Sequence, residues 1–132
     1  MPISQSTRTF TTIAAVLGFL AVAIGAFGAH VLKATLTPDR RAIYETGVQY
    51  HLAHTLAILA VAVLAGVLGD SKPLRAAGWL FTVGIVLFSG SLYALAISGV
   101  KVLGAITPIG GLCFLAGWAS LIAAARIKTP GQ

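Results

Sequence analysis

The sequence predicts an all-α integral membrane protein with four transmembrane helices in a compact antiparallel bundle, and composition is the first reason. Of its 132 residues, 58% are hydrophobic and only 9% are charged, whereas a soluble domain carries about 25% charged residues. So few charged side chains cannot cover the surface of a water-soluble globule of this length. The length allows one domain at most, so we expect residues 1–132 to form a single membrane domain.

The spacing of the charged residues is the second reason. Asp, Glu, Lys and Arg are absent from four runs of 24 or 25 residues, which cover 9–32, 46–69, 76–100 and 102–125. At a rise of about 1.5 Å per residue, a helix of this length reaches roughly 36 Å and crosses a hydrocarbon core of about 30 Å. Together with their flanking residues, these runs predict helices at approximately 9–31, 38–69, 74–98 and 103–126.

The ends of the predicted helices carry residues typical of helix starts and turns. Thr37, Pro38 and Asp39 are typical of an N-cap, a first-turn proline and a first-turn acid, so the second helix is expected to begin near Pro38. The segment 70–73 predicts a tight polar turn between the second and third helices. Thr107 and Pro108 either begin the fourth helix or kink a longer one, and we favour the first alternative.

The basic residues bear on orientation. An even number of spans places both termini and the segment 70–75 on one face, and we call the opposite face the non-terminal face. The face with the termini carries five basic residues, and the non-terminal face carries four. Because basic loops stay inside, both termini are expected in the cytoplasm. The basic residues on the face with the termini are Arg8, Lys72, Arg75, Arg126 and Lys128. Those on the non-terminal face are Lys33, Arg40, Arg41 and Lys101.

Polar side chains within the predicted spans form the candidate site. Ionisable groups at membrane depth are costly and therefore raise a functional hypothesis. The topology places the three histidines of the chain toward the non-terminal face. The third helix adds polar side chains, of which the tyrosine lies near the same leaflet as the histidines. The candidate ligand-binding or polar site consists of His30, Gln49, His51, His54, Ser89 and Tyr93.

The helical period separates two polar stripes on the second helix. At about 100° per residue, one stripe centres on His51 and His54, and the other contains Glu45 and Gln49. Residues that share the histidine stripe are expected on one side of the helix. They are Tyr44, Gly47 and Thr55.

Three interpretations of the histidines remain open. In the first, neutral imidazoles join helices through hydrogen bonds to hydroxyl, amide or backbone groups. In the second, the six side chains converge in a cavity that opens to the non-terminal face and binds or transports a lipid, a small amphiphile or a proton. In the third, a metal or haem is bound, since His51 and His54 at i, i+3 can share a metal with His30, but no fourth ligand is evident. Metal binding is therefore unknown, and no cofactor is expected.

Catalytic motifs are not found in the sequence. The segment Phe88–Ser91 lacks the first glycine of a nucleophile elbow, there is no His-Glu-x-x-His motif, and Glu45 is the only glutamate. We therefore expect a protein that is not an enzyme.

The expected partners are those of a membrane bundle. Because the basic residues are divided among loops and tails, they fit membrane lipid headgroups and not nucleic acid. Small residues recur at four-residue spacing and allow helices to approach closely, either within the bundle, in a homo-oligomer or against a larger membrane complex. We therefore expect an accessory or scaffold protein. These rows include Ala21, Gly25 and Ala29, then Ala53 and Ala57, then Gly90, Ala94 and Ser98, and finally Cys113 with Gly117.

Several segments together resemble a known family of small four-span membrane proteins, the domain of unknown function family 423, which includes the eukaryotic transmembrane protein 256 homologues. The resemblance extends from about Phe10 to Ala125. It implies four membrane helices and, for the bacterial members, a location in the inner (plasma) membrane, and it implies no activity, cofactor or catalytic residue. The segments are 25–30 (GAFGAH), 45–51 (ETGVQYH) with His54, Gly78-Trp79, 87–93 (LFSGSLY), 103–111 (LGAITPIGG) and Gly117-Trp118.

Overall fold

The computed structural model describes residues 2–128. Within this range, four helices are long and apolar enough to cross a membrane, and they pack together as the sequence predicted. Short connections make successive helices antiparallel. The helices are span 1 (Gln5–His30), span 2 (Pro38–Val67), span 3 (Lys72–Ser98) and span 4 (Lys101–Ala125).

Polar side chains cap the helix starts and set their positions. Thr37 accepts a hydrogen bond from the backbone N–H of Arg40, which confirms the predicted start of span 2 at Pro38. Span 1 begins at Gln5, four residues before the predicted start, because Ser4 accepts a hydrogen bond from the N–H of Thr7. Ser71 caps span 3 in the same way, so this helix begins at Lys72 and not at residue 74.

Span 3 is interrupted by a π-helical segment that was not predicted from the sequence. The chain is α-helical over Lys72–Gly84, π-helical over Ile85–Ser89 and α-helical again over Gly90–Ser98. A π segment inserts an extra residue into the turn and rotates the side chains that follow it. This change of register lies beside the buried polar residues described below.

Span 4 begins with a tight 3₁₀ segment over Lys101–Ala105 and becomes α-helical over Thr107–Ala125. Thr107 and Pro108 therefore begin the α-helix, as favoured above, and do not kink a longer one. The hydroxyl of Thr107 does not cap the helix, however. It forms a hydrogen bond of 2.6 Å with the hydroxyl of Ser91, which ties span 4 to span 3.

Spans 2 and 3 form the centre of the bundle, with span 1 packed chiefly on span 2 and span 4 on span 3. Aromatic rings pack directly against glycines of neighbouring helices, so the helices approach closely. Close packing matters here because lipid supplies no hydrophobic driving force for helices to associate. A Cβ at any of these glycines would overlap the ring. The pairs are Gly28 with Tyr44, Gly47 with Tyr93, Gly78 with Phe10, Gly84 with Phe114, and Gly117 with Phe81.

Candidate functional site

Two imidazoles of span 2 lie buried at the middle of the bundle. His51 and His54 are only 3% and 6% exposed. His51 lies roughly 20 Å along the helix axis from Pro38, at a rise of about 1.5 Å per residue. The whole predicted histidine stripe is buried, including Tyr44, Gly47 and Thr55, which confirms the helical period. Interior partners therefore decide the chemistry of both rings.

His51 joins three helices. Its Nε2 lies 2.9 Å from the carbonyl oxygen of Leu17 in span 1, and its Nδ1 lies 2.9 Å from the hydroxyl of Tyr93 in span 3. Because a carbonyl only accepts hydrogen bonds, Nε2 carries a proton and donates. In the neutral ring, Nδ1 then accepts the hydroxyl hydrogen of Tyr93. We call this set of three groups the His51 clamp.

His54 lies in an aromatic cage. Its Nδ1 donates to the backbone carbonyl of Tyr50 at 2.8 Å, and its Nε2 accepts the indole N–H of Trp118 at 3.2 Å. The ring of Phe114 stacks on the imidazole with centroids 3.6 Å apart and planes 11° apart. Since an indole N–H only donates, His54 is neutral with its proton on Nδ1. The cage joins span 2 to span 4.

Ser89 lies at the end of the π segment and is fully buried. Its hydroxyl donates to the carbonyl of Gly47 at 2.7 Å, and this second bond holds span 3 against span 2 beside the His51 clamp. Gly47 also makes room for the phenol, because a Cβ at this position would lie 2.8 Å from Cε1 of Tyr93. Among the described residues, every buried side-chain nitrogen and oxygen has a hydrogen-bond partner.

The structure brings only some of the six predicted residues together. His51, Ser89 and Tyr93 meet at the interface of spans 2 and 3, and His54 lies one turn further along span 2. His30 is exposed in the last turn of span 1, and Gln49 is exposed on the opposite stripe of span 2. The six side chains therefore do not converge in one cavity, because His30 and Gln49 are exposed on other parts of the bundle.

The sequence did not predict the partners of the histidines. Neither Trp118 nor Phe114 is among the residues predicted for the site. The carbonyl of Leu17 carries no signal in a sequence, because every residue has one. For Trp118 and Phe114, the spacing of four residues was an available signal, since such residues share one helix face.

Gln49 lies in a groove between spans 1 and 2. The groove has a volume of about 230 Å³ and is lined on the span 1 side by small residues such as Gly25, Gly28 and Ala29. On the span 2 side, Arg41 and Glu45 form an ion pair of 3.6 Å, and Gln49 follows one turn deeper. Within residues 2–128, no hydrogen bond joins the Gln49 side chain to another residue, so its amide is free to face a molecule in the groove.

A metal-binding constellation is not found in the described part of the chain, where no three His, Cys, Asp or Glu side chains cluster. His30 does not approach the other two histidines.

A second polar cluster lies on the face with the termini. The hydroxyl of Ser6 donates to Oδ2 of Asp70 at 2.7 Å, and Arg75 approaches the same oxygen at 2.9 Å. Burial of the Asp70 carboxyl raises its pKa, but the hydrogen bonds from Ser6 and Arg75 and the positive charge of Arg75 outweigh burial. The pKa therefore lies below its ordinary value. This cluster ties the start of span 1 to the connection between spans 2 and 3.

Four apolar helices pack around a core in which the buried polar side chains of the described residues are hydrogen-bonded. This arrangement defines a multi-pass helical membrane protein. The sequence profile of the family described as "Protein of unknown function (DUF423)" matches residues 24–111. The chain belongs to this family, as the resemblance implied. No solved structure matches the chain.

Similar proteins from two bacteria cover most of the chain. It is 44% identical over 118 residues to the UPF0382 membrane protein YwdK of Bacillus subtilis (strain 168), covering 89% of this chain and 96% of that protein. It is 42% identical over 134 residues to the UPF0382 inner membrane protein YgdD of Escherichia coli (strain K12), covering 96% of this chain and 97% of that protein. The chain is thus a multi-pass protein of the inner membrane, from a family to which no activity is assigned.

Proposed function

We propose that this protein is a non-catalytic accessory or scaffold bundle that associates side by side with a second copy of itself. The observation that carries the proposal is that both nitrogens of each buried imidazole already form hydrogen bonds within the protein. A general acid, general base or nucleophile needs an accessible atom. Because the polar groups of the interior hold the helices together, we infer that a specific interaction with a partner uses the outer surface.

One outer surface suits helix association. Gly90, Ala94 and Ser98 follow each other at four-residue spacing on span 3, and all three are exposed. A Cβ at Gly90 would meet nothing within 4 Å, so this row is not used to pack the bundle. Small residues on a lipid-facing helix let a second backbone approach closely, which is the usual basis of helix pairing in membranes. We call this surface the span 3 face.

Cysteine crosslinking in membranes tests the span 3 face. In a Cys113→Ala background, Ala94→Cys is expected to form a disulfide-linked dimer, whereas Leu112→Cys on the exposed surface of span 4 is the control and is expected to remain monomeric. Native mass spectrometry should show a dimer that Ala94→Leu dissociates. A monomer in both measurements contradicts the proposal, and a crosslink to a different membrane protein replaces self-association with a role in a larger complex.

The groove between spans 1 and 2 supports a second candidate function, the binding of a small amphiphile. Its supporting observation is Gln49, an exposed amide roughly 16 Å along span 2 from Pro38. A polar group at this depth without a protein partner favours a bound polar ligand. Glu45 and Arg41 continue the polar stripe toward the surface, so a ligand with a polar head and an apolar tail matches the groove.

Ligand retention tests this candidate. The purified wild type is expected to carry an amphiphile detectable by native mass spectrometry, and Gln49→Leu should lose it. Leu56→Ala, an exposed apolar change elsewhere on span 2, is the control and should keep it. Equal retention by both variants would reject binding through Gln49 while leaving the scaffold proposal intact.

A further inference from the structure

A second cleft opens on the non-terminal face, where span 2 begins and span 3 ends. Its volume is about 510 Å³, and it shares no lining residue with the groove between spans 1 and 2. Two cations line it from different segments, Arg40 in the first turn of span 2 and Lys101 at the start of span 4. The lining residues are Arg40, Ile43, Leu95, Gly99 and Lys101.

The guanidinium of Arg40 is positioned by the end of span 3. Its Nη2 donates to the carbonyl oxygen of Ile97 at 3.4 Å, one of the last carbonyls of the helix, which have no partner within it. Gly99, with a φ of 73°, leaves the space that the guanidinium occupies, because a Cβ there would collide with it. A guanidinium has five N–H donors, so this single bond leaves most of them for another acceptor.

Neither cation of the cleft is neutralised by a carboxylate in the described part of the chain. The ion pairs within residues 2–128 are Arg41 with Glu45 and Arg75 with Asp70. Asp39 is the nearest acid in sequence, but it lies about 100° around the helix from Arg40. The cleft therefore concentrates positive charge that attracts an anion.

The walls of the cleft change from charged to apolar with depth. Ile43 lies one helical turn further into span 2 than Arg40, and Leu95 lies one turn further into span 3 than Gly99. A phospholipid has the same order, with its phosphate at the interface and its acyl chains beneath. A free phosphate has no apolar group that could contact Ile43 and Leu95.

We propose that this cleft binds the phosphate of an anionic phospholipid. Arg40 and Lys101 hold the phosphate oxygens through charge-assisted hydrogen bonds, and Ile43 and Leu95 contact the upper part of an acyl chain. The cleft shares no lining residue with the span 3 face or with the groove that contains Gln49, so the proposal does not depend on either candidate function.

Lipid retention measured by native mass spectrometry tests the site. The wild type, purified from vesicles of equal parts phosphatidylglycerol and phosphatidylcholine, is expected to retain the anionic lipid preferentially. Lys101→Gln and Arg40→Gln should each lower this retention about five-fold, the effect of one basic residue near an anionic membrane surface. Lys33→Gln removes one charge from the same face outside the cleft, and it should leave retention unchanged.

Three outcomes overturn the proposal. An equal loss in Lys33→Gln would show attraction by the whole face, and equal retention of both lipids would show no headgroup selection. If Lys101→Gln weakens the binding of inorganic phosphate to the lipid-free protein but leaves lipid retention unchanged, the ligand is free phosphate. Because Arg40 also bonds the end of span 3, thermal unfolding of each variant accompanies the measurement. The exposed Lys101 decides the result if Arg40→Gln is less stable.

Discussion

The indole N–H of Trp118 donates a hydrogen bond to Nε2 of His54 across 3.2 Å, between spans 4 and 2. This bond requires a lone pair on Nε2, so a protonated His54 would lose it. His51 differs, because the hydroxyl of Tyr93 accepts as readily as it donates. Two histidines only three residues apart on one helix are thus restricted in different ways by their partners.

The two rings are expected to be opposite tautomers. Because Leu17 and Tyr50 present carbonyl oxygens, His51 carries its proton on Nε2 and His54 on Nδ1. Solid-state ¹⁵N NMR of the histidine-labelled protein in lipid should resolve one ring of each kind at neutral pH. The exposed His30 serves as the internal reference. Two buried rings with the same tautomer would contradict the hydrogen-bond assignment.

Trp118→Phe should destabilise the bundle more than the same change at Trp79. It keeps most of the ring but removes the donor to His54, and an interhelical hydrogen bond in a membrane protein contributes about 0.6 kcal/mol and at most about 1.7 kcal/mol. Trp79 packs edge-on against Phe10, and its indole N–H bonds no other described residue, so Trp79→Phe is the matched control. Thermal unfolding in mild detergent compares the two, and equal losses would argue against the bond.

Gly110→Ala should be far more damaging than Gly90→Ala. A Cβ at Gly110 would lie 2.8 Å from the Cα of Phe88 in the π segment, and a backbone cannot move aside as a side chain can. Overpacking of this kind typically costs about 1–3 kcal/mol. At Gly90 the added Cβ meets open space, so this control should be neutral or slightly stabilising in a monomer. A harmless Gly110→Ala would contradict the close approach of spans 3 and 4.

Acid should weaken the fold partly through Asp70. Its folded-state pKa lies below its ordinary value, whereas an unfolded Asp titrates at about 3.9. The ionised carboxylate therefore stabilises the fold above that pH, and its contribution is lost as the pH falls through the folded-state pKa. Unfolding temperatures followed from about pH 5 to about pH 3 should fall less steeply in Asp70→Asn. Equal falls in Asp70→Asn and in the wild type would contradict this contribution of Asp70.

The termini are expected in the cytoplasm, by the excess of basic residues on their face. A fluorescent protein fused to the C-terminus should therefore fold and fluoresce in cells, and alkaline phosphatase at the same position should be inactive. The reverse pattern would place the termini outside. It would also move the cleft of Arg40 and Lys101 to the cytoplasmic leaflet.

The four spans and the buried side of span 2 could be predicted from the sequence because both depend on the order of residues along each helix. Apolar length decides whether a segment spans the membrane, and the period of 3.6 residues decides which side of span 2 is buried. Glu45 and Gln49 fall outside that side, as predicted. The capping residues Thr37 and Pro38 likewise act within one turn of helix. Each of these effects is local, so no neighbouring helix needs to be known.

The partners of His51 and His54 were decided only by tertiary structure. The carbonyl of Leu17 lies 34 residues away in sequence from His51, and the indole of Trp118 lies 64 residues away from His54. Which groups meet depends on the rotation of each helix and on the change of register at the π segment of span 3. The sequence by itself determined that the chain has four membrane-spanning helices and that these helices contain polar residues. Packing determined that the two buried histidines join helices, and that Arg40 and Lys101 line one cleft.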